Sequence, residues 1–147
     1  MAQMENKMGK INWTRVLLGG LVAGVIINIS EFVTNGVFLA PYWAEAFEGT
    51  RRSMVPNAGI IFLIWGFLMG IGAIWLYAAA RPRFGPGIKT AVISGFAFWV
   101  FTAGLVSIDE ATVGLYPFRL VTTLALVCLV QDILASVAGA WLYKEYS

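Results

Sequence analysis

Two carboxylic acids stand in stretches of this chain that otherwise have the composition of hydrocarbon. Glu31 lies in Ile26-Ile27-Asn28-Ile29-Ser30-Glu31-Phe32-Val33-Thr34-Asn35-Gly36, and Asp132 lies in Val130-Gln131-Asp132-Ile133-Leu134-Ala135-Ser136. A charged side chain near the centre of a bilayer costs about 2.5–3.5 kcal/mol on insertion scales, more than a Ser or an Asn. Amides and a hydroxyl flank both acids: Asn28 and Asn35 beside Glu31, Gln131 and Ser136 beside Asp132. No Lys or Arg occurs at similar depth, and the chain has no His. Three arrangements satisfy such a pair: carboxyls that are protonated and hydrogen-bonded to the neighbouring amides, a bound cation, or a partner subunit that supplies the positive charge. Interhelical hydrogen bonds alone contribute only about 0.6–2 kcal/mol each, and cheaper residues would supply them. The expected chemistry is therefore exchange of a proton against a cation or cationic small molecule, with Glu31, Asn28, Asn35, Asp132, Gln131 and Ser136 as the candidate site.

The elements that must position these residues follow from composition. The 147 residues are 59% hydrophobic and 12% charged, against about 45–50% and 25% in soluble domains; the mean hydropathy is +0.78. Four apolar stretches reach the length of about 20 residues that a spanning helix needs: approximately 16–40, 58–80, 88–108 and 118–143. A secretory signal is the alternative for the first, but its apolar run is too long and no cleavage site follows. The expected fold is all-α, a single-domain four-helix transmembrane bundle.

Basic residues set the orientation. Lys7, Lys10, Arg15, Arg81, Arg83, Lys89 and Lys144 share one side, and Arg51, Arg52 and Arg119 the other. Both termini are thus expected in the cytoplasm, in a multi-pass protein of the bacterial inner membrane. The loop "RPRFGPGIKTA" places Arg81, Arg83 and Lys89 where anionic lipid head groups attract each cation by about 1 kcal/mol. The opposite loop, "PYWAEAFEGTRRSMVPN", suits either a plain connection or a short interfacial helix with Trp43 and Phe47 on one face and a Glu48–Arg52 pair.

At about 100° per residue, Gly20, Gly24, Asn28, Glu31 and Asn35 fall within about 80° of one another. On the fourth helix Cys128, Asp132, Ala135, Ser136, Gly139 and Tyr143 align, and the second offers Gly59, Gly66, Gly70 and Ala73. Gly20, Gly24, Gly66, Gly70 and Gly139 are read as helix-packing positions, Cys128 as a small buried apolar residue. With a rise of about 1.5 Å per residue, Glu31 lies about 12 Å and Asp132 about 18 Å below the outer edge, close enough in depth to be neighbours. A faint repeat accompanies these faces. Trp75-Leu76-Tyr77 is echoed by Trp141-Leu142-Tyr143, and Thr34-Asn35-Gly36-Val37 by Thr102-Ala103-Gly104-Leu105, as a duplicated helix pair would be.

The single Cys excludes an internal disulfide and a multi-cysteine metal site. With no His and no nucleophile placed beside a base, neither an enzyme nor a metal or cofactor is expected. A net charge of +2 without a basic cluster excludes nucleic acid. The expected partners are the lipid bilayer, a proton or cation, and a second copy or a partner membrane subunit. The alternative to transport is a non-catalytic subunit or lipid-binding scaffold whose polar stripe docks a partner helix.

The loop "RPRFGPGIKTA", the opening Ile11-Asn12-Trp13 and "LVAGVIINISEF" resemble segments of small four-span bacterial membrane proteins to which no activity is attached. By analogy in kind, the small multidrug-resistance transporters also carry a membrane-embedded Glu in their first helix. This chain departs from them in its greater length, its larger outer loops, the outward position of Glu31 and the added Asp132.

Overall fold

A computed structural model describes residues 10–48 and 53–145. Among them every regular element is helical. Four helices are long and apolar enough to cross a membrane: α1 (Trp13–Phe38), α3 (Ala58–Phe84), α4 (Ile88–Thr112) and α5 (Phe118–Ala140). A short helix, α2 (Ala40–Phe47), follows α1. The spans match the sequence expectation with shifted ends. Helix α3 carries Pro82 inside its last turn and runs four residues beyond Ala80. Helix α4 runs on to Thr112, so Asp109 and Glu110 end a helix rather than open a loop.

The distribution of side chains is that of a chain solvated by lipid. Leu17, Phe62, Leu68, Phe101 and Leu126 are exposed, whereas Thr90, Ser94, Gln131, Asp132 and Ser136 are buried. Lipid tails are as apolar as Leu, so burying Leu gains little; helices associate through close backbone approach and hydrogen bonds. The glycines do this. A methyl group at Gly70 would fall on the backbone of Gly20 and Gly24, and one at Gly139 on Ile74 and the Gly19 carbonyl. Gly24 lies against the Phe67 backbone, and Gly95 of α4 against that of Ile133 on α5. Gly19 and Gly95 escaped the sequence reading; the doublets Gly19-Gly20 and Ser94-Gly95 were their only signal. Gly59, placed on the packing face, meets nothing.

Helix α1 packs along α3 and α4 along α5, with further contacts of α1 on α5 and α3 on α4. Features recur across the two pairs. The Tyr143 hydroxyl accepts the Asn12 N–H just before α1 (3.3 Å), and the Tyr77 hydroxyl accepts the Gly87 N–H just before α4 (3.2 Å). The two rings meet edge to face at 5.8 Å. Each pair also contains one π-helical stretch, Phe32–Phe38 in α1 and Val100–Gly104 in α4. There the Leu39 N–H reaches back five residues to Thr34, and the Leu105 N–H to Val100. These are the two Thr-containing stretches that echo one another in sequence.

The end carrying both termini is tied by Asn12. Its side chain accepts from the Arg15 N–H at 3.2 Å, capping α1, and donates to the Lys144 carbonyl at 3.1 Å. The turn between α3 and α4 uses Gly85 and Gly87 at φ 82° and 120°, angles that a side chain would strain.

Candidate functional site: a carboxylate pair inside the bundle

Glu31 ends the α-helical part of α1 just before its wide turn. Asp132 lies one helix away on α5, 3% exposed. The two line one small cavity of about 40 Å³ with Trp65, Thr102, Cys128 and Gln131, room for about one water-sized occupant. The two carboxyls, expected from the sequence to be near one another, line the same cavity.

Glu31 accepts from three neutral donors. Asn35 Nδ2 lies 2.6 Å from Oε2, Gln131 Nε2 lies 3.1 Å from Oε1, and the Cys128 thiol reaches Oε1 at 3.8 Å. Asn35 in turn accepts the Trp43 indole N–H at 2.9 Å. A chain of hydrogen bonds therefore runs from α2, across the end of the bundle opposite the Asn12 tie, to the half-buried Glu31. Trp43 also stacks on Phe47 at 5.9 Å and meets Tyr116 edge-on at 5.2 Å, which seats α2 over the bundle. This loop holds a short helix, as one of the two sequence readings expected, with Trp43 and Phe47 stacked on one another; Arg52 lies outside the described residues. Gln131 and Thr102 line the cavity beside Asp132, and the Thr102 hydroxyl donates to the Phe98 carbonyl at 2.8 Å.

Two candidates stand apart from the carboxyls. Asn28 faces α3, where its Nδ2 donates to the carbonyls of Gly24 (2.9 Å) and Leu63 (3.2 Å). The stripe read as one face divides because Glu31, set about 60° round from Asn28, meets α5 instead. Ser136 is fully buried against Gly95, one turn from Asp132, with its hydroxyl unpartnered among the described residues. Cys128, read as an apolar filler, is a donor to Glu31. Trp43 was named only for its face of α2, because nothing in sequence spacing joins it to Asn35.

Among the described residues no cationic side chain lines the cavity, and no cluster of three His, Cys, Asp or Glu is disposed to hold a metal ion. The basic loop is at the far end. Arg83 and Lys89 are exposed there, but Arg81 folds back, 3.6 Å from Glu145 and 5.5 Å over the Tyr143 ring. Arg81 thus serves a contact within the chain rather than pointing outward to head groups. No known protein family, characterised protein or solved structure matches this chain.

Proposed function

We propose that this chain is a small multi-pass protein of the bacterial inner membrane, both termini cytoplasmic, that exchanges a proton against a cation or cationic small molecule at Glu31 and Asp132. One observation carries the reading: two carboxyls from different helices converge on one cavity inside the bundle, and among the described residues no cationic side chain lines it. Two negative charges so placed repel strongly, and a shared proton or a bound cation relieves that repulsion. The Asn35, Gln131 and Cys128 donors hold Glu31 in place through either change. The orientation rests on the excess of Lys and Arg at the end bearing the termini.

The stripe is also largely consumed within the chain. Asn28 and Asn35 both have partners on neighbouring elements, which favours an internal site over a surface held ready for a partner helix. The test is proton release from purified protein in weakly buffered detergent on adding a panel of inorganic and organic cations, with Glu31→Gln as control. Release that depends on Glu31 is the expected result. Silence across the panel, or equal release from Glu31→Gln, would overturn the assignment.

A further inference from the structure

A second hollow adjoins the first. Between α1 and α5 a groove of about 470 Å³ opens on the flank of the bundle, walled by Ile26, Leu126, Val127, Val130 and Leu134. It runs from Thr123 to Leu134, about 16 Å along α5, close to the thickness of one hydrocarbon leaflet. Its inner wall holds Ser30 and Gln131. Gln131 also lines the carboxylate cavity, and among the described residues it is common to the linings of both hollows. It is 6% exposed; its Nε2 donates to Glu31, while its Oε1 is buried with no hydrogen-bond partner among the described residues.

We infer that the groove is a lateral route from the bilayer to the acids, and that its occupant is a lipid-soluble amine carrying an apolar chain. This rests on the proton-and-cation reading of Glu31 and Asp132 and names the substrate class. Three features select the occupant. The groove walls are hydrocarbon, which a neutral amine crosses at far lower cost than a permanent cation. At and beyond Gln131 lie acceptors with no positive partner among the described residues: the two carboxyls of the neighbouring cavity and the Gln131 Oε1. That Oε1 can accept a hydrogen bond, and a protonated amine brings both the N–H and the positive charge, whereas a quaternary ammonium lacks the N–H and an alcohol lacks the charge. The step is a simple proton transfer. The amine lone pair takes the proton of the carboxylic acid, an O–H bond breaks as an N–H bond forms, and the ammonium stays paired with the carboxylate while its N–H donates to Gln131.

The experiment measures binding of tritiated N,N-dimethyloctylamine to the purified full chain in lipid nanodiscs. Tetramethylammonium, trimethyloctylammonium and 1-octanol serve as competitors. Val130→Trp fills the groove from an exposed position, and Leu126→Trp serves if that variant does not fold. Saturable binding is expected, lost in Glu31→Gln, weakened at least tenfold by the Trp variant, and competed at least tenfold less well by all three competitors than by unlabelled amine. Tetramethylammonium competing as well as the amine, with no effect of the Trp variant, would overturn the groove while leaving the carboxylate site standing. Equal competition by trimethyloctylammonium would overturn the N–H requirement. Equal competition by 1-octanol, with binding intact in Glu31→Gln, would make the groove a lipid-tail site. Absence of saturable amine binding in folded protein would overturn the amine as occupant, and the cation-induced proton release above then decides separately whether the acids handle a cation.

Discussion

The two ends of the bundle are held by different means. In the half that carries both termini, helices meet backbone to backbone: Gly70 on Gly20 and Gly24, Gly139 on Gly19, with Tyr77 and Tyr143 closing the bottom. In the other half they meet through long polar side chains, and the helical path itself widens at Phe32–Phe38 and Val100–Gly104. Glycine contacts are rigid and tolerate no added atom, whereas hydrogen-bonded side chains have rotatable bonds and alternative partners. Stability is thereby concentrated at one end and adaptable chemistry at the other.

That contrast is breakable, most violently at the glycines. Gly70→Val puts two methyl groups into the backbone of α1, an overpacking expected to cost about 3 kcal/mol or more; size-exclusion profiles after a heating series should show loss of folded protein. Glu31→Gln should do the reverse, abolishing cation-induced proton release while moving the thermal midpoint little, because Gln can still take the Asn35 bond and Gln131 can turn its unpartnered Oε1 to accept the new amide N–H. A destabilisation as large as that of Gly70→Val would dissolve the contrast. Tyr143→Phe removes the acceptor of the Asn12 N–H and should cost about 1 kcal/mol. Tyr77→Phe should match it, and unequal midpoints would deny the equivalence of the two helix pairs. The smallest effect is expected from Trp43→Phe. It keeps most of the stacking on Phe47 but deprives Asn35 of a donor at the partly exposed end opposite the Asn12 tie, for about 0.5 kcal/mol, with a modest change in proton release.

Much of this arrangement was legible in the sequence, for reasons that differ by residue. The spans follow from hydropathy because lipid demands about 20 apolar residues of helix whatever else the chain does. Glu31 and Asp132 announced themselves by their cost, and counting the rise placed them at one level. What spacing could not give was azimuth between helices. Asn28 and Glu31 fall on one face of an isolated helix, yet α3 and α5 divide that face between them. Cys128 was misjudged because a thiol is apolar or a donor according to its neighbour, and its neighbour Glu31 is 97 residues away. Arg81 was assigned to head groups by its location, and the ring of Tyr143 and the carboxylate of Glu145 reached it first.

The wide turns carry a consequence for chain length. A π turn holds one residue more than the α-helical path between the same two points, and it absorbs that residue without unwinding its flanks. Removing a residue from a regular spanning helix swings everything beyond it by about 100° and turns a lipid-facing side inward. Within Phe32–Phe38 or Val100–Gly104 the same loss tightens the turn to an ordinary one and leaves each flank helical. These two stretches are where the chain can lose a single residue within a spanning helix, and so where such a loss would re-aim Glu31 and Thr102 relative to the helix beyond them.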